Sequence, residues 1–225
     1  LRDDLRAGTY QHGSYQPFTV FDPKQRSIHK AIVRDRIVHQ AVVNVIAPFF
    51  ERHFIHDSFS CRVGKGTHAA VDRLRLFLRR ASVNDTKTVY ALKCDVRKFF
   101  ASVDHEILLR LLGRWIREPR MQDLLRHIIE SFAVAPGRGI PLGNLTSQLF
   151  ANVYLHELDR FVKHDLHIAN YVRYCDDFIM LTRSRSEALV WVGEIDRFLR
   201  RSLHLELHPE KVTLRTWGQG VCFLG

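Results

Sequence analysis

Apolar positions along the chain change period at a few marked points, and those points divide it into elements. Residues 1–30 mix Gly, Pro, Tyr and His without a sustained period and read as extended segments and turns, around Tyr10 to Gly13 and at Asp22-Pro23. From Ile28 the spacing is helical. Ile32, Val33, Arg36, Ile37, Gln40, Ala41 and Val45 share one pattern, and Pro48 is expected to stop that helix. A second helix is predicted over Ala69 to Leu78, with Thr67 as its N-cap. Thr88 to Cys94 is short, β-branched and aromatic, so it reads as a strand that delivers Asp95 at its C-terminal end.

Asp104-His105-Glu106-Ile107 should cap and start the next helix, with Leu108, Leu111, Leu112 and Trp115 as its apolar face. Met121 to Phe132 reads as another helix and Pro136 to Pro141 as a loop. Asn144 then opens a long helix whose buried stripe is Leu149, Val153, Tyr154, Leu158, Phe161 and Val162. Tyr171 to Leu181 is two apolar runs around Asp176-Asp177, the form of a β-hairpin with carboxylates at its bend. A helix over Ser186 to Leu203 and short strands at Lys211 to Arg215 and Gly220 to Leu224 complete the reading. The order strand, helices, hairpin, helix, strand predicts an α+β fold, an antiparallel sheet with helices on one face.

Charge adds a partner. Lys and Arg outnumber Asp and Glu by 34 to 24, a formal +10, so a polyanion, nucleic acid first, is the expected ligand. Cys61, Cys94, Cys175 and Cys222 form no CxxC pair, which argues against a zinc knuckle or a disulfide framework and for a reducing compartment. No apolar run of about 18 residues is present, so no membrane span is expected and a cytoplasmic location is. The chain lacks an initiating Met and ends at Phe223-Leu224-Gly225; it is expected to be part of something longer.

The candidate chemistry lies in the acidic residues. Adjacent Asp176 and Asp177 repel and raise each other's pKa unless a cation sits between them. Mg²⁺ prefers oxygen ligands and is commonly held by one or two carboxylates plus substrate phosphates. With a third carboxylate on a neighbouring strand, for which Asp95 is the natural candidate, two such ions can be held about 4 Å apart. A bare Asp-Asp pair is more often a solvated turn, so the surroundings decide.

Tyr174-Cys175-Asp176-Asp177, with Asp95, Lys98-Phe99-Phe100 and Val103-Asp104-His105 upstream, resembles the reverse transcriptase family. Three more stretches resemble it in the same order: Ser58 to Thr67, Gly139 to Asn152, and His208 to Lys211 with Phe223 to Gly225. The resemblance implies the fingers and palm of a right-hand polymerase, with a ferredoxin-like palm and no thumb. Residues 1–87 would be fingers and 88–225 palm, with 113–142 contributing to the connection. It implies RNA-directed DNA polymerase activity with two Mg²⁺ ions, replaceable by Mn²⁺, and as partners an RNA template, a DNA or RNA primer, dNTPs and an accessory protein.

Residue by residue, Asp95, Asp176 and Asp177 would be catalytic metal ligands, with the Val96 carbonyl beside them. Lys211 resembles the late palm lysine that gives a proton to pyrophosphate; its bland reading is a solvated strand-end lysine. Arg62 and Lys65 would meet the triphosphate, where a cation neutralises charge on the leaving group, or be ordinary exposed residues. Lys24, Arg26 and Arg36 are lesser candidates for template contact. Phe100 would block a ribose 2′-hydroxyl, or simply pack, whereas Phe99 is expected in the core. Gly143 would let backbone approach the template–primer pair, and Gln148 would lie beneath it or only cap its helix. Leu142 stands where many relatives carry a Gln near the incoming nucleotide.

Leu142-Gly143 with Ser147-Gln148, in place of Gln-Gly with Ser-Pro, resembles the reverse transcriptases of diversity-generating retroelements, which err at template adenines. Group II intron, retron and defence-associated enzymes are the alternatives, and an inactive RNA-binding palm-like module is the reading from another class.

Overall fold

The structure, a computed structural model, describes residues 1–21 and 25–224. The turn expected at Asp22-Pro23, Lys24, and the closing Gly225 lie outside the described residues. In chain order the elements are α1 (Arg2–Ala7), β1 (Gln16–Val20), β2 (Arg26–Lys30), α2 (Val33–Glu51), α3 (Thr67–Ala81), β3 (Tyr90–Asp95), α4 (Phe99–Ser102), α5 (His105–Gly113), α6 (Pro119–Glu130), α7 (Leu145–Arg160), β4 (Tyr171–Tyr174), β5 (Asp177–Thr182), α8 (Arg185–Leu203) and β6 (Thr213–Thr216). They form two compact units, Leu1–Arg52 with Phe100–Tyr154, and His53–Phe99 with Leu155–Gly225. The boundary expected near residue 87 falls inside the second unit.

In the first unit β1 and β2 pair antiparallel, Gln16 opposite Lys30. Pro48 does not stop α2, which runs on to Glu51. A proline removes one N–H bond to the carbonyl four residues back, but Ile46 and Phe50 on either side of it are both buried and carry the helix past the gap. Asp104 caps α5 as expected, its side chain accepting from the Ile107 N–H. Trp115 lies beyond that helix and is 43% exposed, edge-on to Phe49, so it is not part of the buried face. α6 begins earlier than expected, at Pro119, because Glu118 accepts from the N–H groups of Arg120 and Met121.

A buried polar knot ties the N-terminal segment to α2. The Tyr10 hydroxyl donates to Asp35 Oδ1 at 2.8 Å and the Gly13 N–H to Oδ2 at 2.8 Å. His39 lies 3.0 Å from His12 and 3.2 Å from the Thr146 hydroxyl. The Asn144 side chain accepts from Ala31 N–H and donates to the His29 carbonyl, so it holds the end of β2.

In the second unit the strand order is β4-β5-β3-β6, with every neighbour antiparallel. Successive strand side chains alternate between faces. Ala91, Val172, Ile179 and Leu181 pack with Ala70, Leu74, Phe77 and Leu78 of α3. The alternate set, Leu92, Cys94, Phe178 and Met180, is also fully buried, and Tyr171 and Arg173 on that side bond to Asp159 of α7. Helices therefore cover both faces, α3 closing the one that the sequence left open. α3 takes Gly66, not Thr67, as its N-cap; Thr67 is already its first helical residue. Residues 220–224 form no strand: they follow a 3₁₀ turn, Trp217–Gln219, and Phe223 drops into the α3-side core instead. Of the expected stripe, Leu149, Val153, Tyr154 and Leu158 are buried in α7; Val162, also buried, and Phe161, half-buried and stacked on Phe198, fall in the π-helical turn Phe161–Asp165 that follows it. Among the described residues no helix is long and apolar enough to cross a membrane.

Candidate active site

The carboxylates meet at one end of the four-stranded sheet. β3 ends on Asp95, and the β3–β5 register sets Asp95 opposite Asp177, the first residue of β5. Tyr174 pairs with Asp177 across the hairpin, leaving Cys175 and Asp176 as a two-residue turn. Such turns need a positive φ at the first central position, and Cys175 supplies it at 54°. The Val96 N–H donates to the Asp176 carbonyl at 3.2 Å, which fastens the turn to the strand beside it.

Two lysines stand among these acids. The His208 N–H donates to the Asp95 carbonyl at 2.8 Å, the Lys211 N–H to the His208 carbonyl at 3.1 Å, and the turn so formed brings Lys211 Nζ to 2.8 Å from both Asp95 oxygens. On the same face of β3, Lys93 reaches diagonally across the strands to Asp177 Oδ2 at 3.1 Å. Asp177 Oδ1 is buried and has no hydrogen-bond partner among the described residues.

Burial pushes the Asp177 carboxyl up to about 6, with Asp95 and Asp176 acting in the same direction and Lys93 against it. Burial likewise raises Asp176, and Asp95 adds to the rise. These acids are thus short of positive charge even with Lys93 and Lys211 in place. Among the described residues no three acidic, His or Cys side chains form a ready-made cation cluster; Asp95 and Asp177 are turned onto their lysines. The donors fit a hard divalent cation all the same: all are oxygens, and one is buried and unpartnered.

Arg62 and Lys65 lie in the same unit. Arg62 donates to the carbonyls of Ile55 and Ser58, at 2.7 and 2.8 Å, and stacks over Phe54. Lys65 donates to the His56 carbonyl and lies over the Phe59 ring. Both cations hold their own loop together. Phe100, Leu142, Gly143 and Gln148 belong to the first unit, whereas Phe99 ends a segment of the second. Phe99 is buried, as expected, and Phe100 is half-exposed, its carbonyl accepting from the Ile140 N–H. The Leu142 carbonyl accepts from the His29 N–H, and Gln148 is exposed on α7. Gly143 has φ 101°, and a Cβ there would lie 2.5 Å from Ile28 Cγ2, so local packing already requires the glycine.

One residue next to the site escaped the sequence reading. Arg173, in the middle of β4, is completely buried with Asp159. A charge inside the apolar run Tyr171 to Tyr174 was the available signal.

A sequence model of the family described as reverse transcriptase (RNA-dependent DNA polymerase) matches residues 22–225. The chain belongs to the reverse transcriptase family. Among curated proteins this reverse transcriptase chain is 28% identical over 183 residues to protein YkfC of Escherichia coli K12, covering 77% of the chain and 47% of that protein. It is 25% identical over 145 residues to the group II intron-encoded protein LtrA of Lactococcus lactis, covering 62% of the chain and 23% of that protein. The chain therefore spans less than half the length of these relatives. Among solved structures, telomerase from Candida tropicalis in complex with a telomeric RNA fragment superposes with a TM-score of 0.71 at 13% identity, over 96% of this chain and 43% of that one. That likeness establishes the mixed helix-and-sheet fingers and palm fold.

Proposed function

We propose that the chain is the fingers and palm core of an RNA-directed DNA polymerase, extending a DNA or RNA primer with dNTPs on an RNA template. The observation that carries the reading is the register that sets Asp95 opposite Asp177, with Asp176 in the turn between them and one Asp177 oxygen buried without a partner. Asp95, Asp176 and Asp177, with the Val96 carbonyl, would hold two Mg²⁺ ions, or Mn²⁺ in their place. When bound, the ions supply charge neutralisation to the attacking and leaving oxygens of an in-line phosphoryl transfer.

The other roles are those the family resemblance implies, and the contacts of each side chain bear on how it would take them up. Lys211, paired with Asp95, would be released as Asp95 takes up a cation, and its ammonium would then be available to protonate the departing pyrophosphate. Arg62 and Lys65 would exchange their loop carbonyls for triphosphate oxygens. Phe100, half-exposed beside the buried Phe99, would exclude a ribose 2′-hydroxyl. Leu142, Gly143 and Gln148 would line the path of the nascent pair. An accessory protein would complete the partners.

Two subfamily readings stand. Leu142-Gly143 with Ser147-Gln148 favours a diversity-generating retroelement, whereas the likeness to a relative named as group II intron-encoded favours an intron enzyme. Primer extension on an RNA template with Mg²⁺ and either dNTPs or rNTPs, with products sequenced, tests both levels. Extension with dNTPs that Asp176→Ala abolishes supports the polymerase, and Phe100→Ala should then admit rNTPs. Errors concentrated at template adenines would favour the retroelement, and evenly spread errors the intron enzyme. Tight RNA binding without extension under Mg²⁺ or Mn²⁺ would favour an inactive binding module.

A further inference from the structure

The Arg173 guanidinium is a junction of three segments within the second unit. Nε and Nη2 donate to the two oxygens of Asp159 at 2.7 and 2.6 Å, and the Tyr171 hydroxyl donates to the same carboxylate at 2.8 Å. Nη1 donates to the Cys175 carbonyl at 3.0 Å, and Nη2 also donates to the Ser58 hydroxyl at 3.0 Å. The backbone of the same residue extends the tie: Arg173 N–H donates to the Asp57 carbonyl and Phe59 N–H to the Arg173 carbonyl, each at 2.9 Å. Ser58 in turn offers its carbonyl to Arg62 at 2.8 Å.

A fully buried ion pair is a weak source of stability, since apolar residues of similar volume often serve as well or better. The guanidinium has a use that an apolar side chain lacks. Its planar fork presents five donors in fixed directions; with Asp159 satisfied, the remaining ones point to two different places. One is the carbonyl of Cys175, a residue in the left-handed region, which a side chain other than Gly or Asn occupies at a cost, immediately before Asp176-Asp177. The other is the segment that enters the Arg62–Lys65 loop. Lysine, with a single mobile ammonium, cannot reproduce that pattern.

We propose that Arg173 is a positioning residue that locks the Asp176–Asp177 turn and the Ser58–Lys65 loop into one frame, so that cation binding and nucleotide binding reinforce each other. The proposal rests on the polymerase reading of those two segments. Losing the arm to Cys175 loosens the turn and weakens cation binding. Losing only the arm to Ser58 leaves the turn intact and uncouples the loop.

The test compares Mn²⁺ affinity, by paramagnetic resonance titration of the full-length protein on a dideoxy-terminated primer–template, with and without the next complementary dNTP. Thermal melting and the kcat and KM for dNTP are recorded alongside. In the wild type the dNTP should tighten Mn²⁺ binding. Ser58→Ala should stay folded, with a lower melting temperature because a buried Arg173 donor loses its acceptor. It should bind Mn²⁺ alone as wild type, but lose most of that tightening and raise the dNTP KM. Arg173→Lys should weaken Mn²⁺ binding about tenfold, the usual scale for a group that orients metal ligands. Tyr171→Phe, which takes a bond from Asp159 but touches neither arm, should lower the melting temperature alone. Wild-type Mn²⁺ affinity in a folded Arg173→Lys, or full tightening in Ser58→Ala, would overturn the proposal while leaving the polymerase reading intact. If Arg173→Lys does not fold, Ser58→Ala decides by itself. A wild type that neither binds Mn²⁺ nor extends primers would instead remove the polymerase reading and this inference with it.

Discussion

Lys211 and Asp95, 116 positions apart, form a two-pronged ion pair in which one ammonium sits 2.8 Å from both carboxylate oxygens. A cation that takes Asp95 as a ligand competes with that ammonium for the same two oxygens. Lys211→Met is therefore expected to bind Mn²⁺ several-fold more tightly than wild type in calorimetric titration, even as primer extension slows. Weaker or unchanged binding would mean that the lysine supports the site rather than competing for it.

Asp177 gives a pH dependence of definite sign. Its folded pKa, about 6, lies above its ordinary value of 3.8, so between those values the folded state keeps a proton that the unfolded state releases. Stability of the metal-free protein should fall as pH rises from about 4 to about 6 and carry the full cost above that. Asp177→Asn removes the ionisation. It should melt higher than wild type at pH 8 without metal, equal to it near pH 4, and extend no primer. Equal melting at both pH values would contradict the cost assigned to the buried charge.

His39 acts in the opposite sense. Burial holds its pKa down at about 4, with His12 adding to the shift, so the unfolded chain takes up a proton near 6.5 that the folded one refuses. Stability is complete above about 6.5 and is lost as pH falls toward 4, by up to about 3 kcal/mol. His39→Phe should flatten that part of a stability–pH profile measured by urea unfolding. A variant as acid-sensitive as wild type would locate the sensitivity elsewhere.

Gly143→Ala separates packing from template contact. The alanine would have to hold φ near 101° with its Cβ against Ile28, at a cost of about 1–3 kcal/mol. Ile28→Ala in the same chain should recover part of that loss in equilibrium unfolding. No recovery would show that the backbone conformation, not the isoleucine, demands the glycine.

The elements most legible in the sequence were those with a local cause. Asp104 three places before the Ile107 N–H it caps, the i and i+4 stripe of α7, and Asp176-Asp177 between two apolar runs each follow from neighbours in the chain. What was missed depends on residues far apart. Nothing near Pro48 announces that Phe50 is anchored in a core, nothing near His208-Pro209 announces that Lys211 will meet Asp95, and hydrophobic period has no symbol for a buried charge such as Arg173. Motif order supplied the site acids and Lys211; it was silent on Lys93 and on the ion pair that joins Lys211 to Asp95.

The position of β3 also sets a timetable. It is the first strand of its sheet to leave the ribosome, yet its neighbours are β5 on one edge and β6 on the other, and both are made much later. Until then the strand bearing Asp95 waits with both edges unsatisfied, and such edges invite pairing with other chains. Newly synthesised protein should thus depend on holdase chaperones until the segment carrying Lys211 has emerged, and ribosomes stalled between β3 and β5 should yield the most aggregation-prone nascent chains.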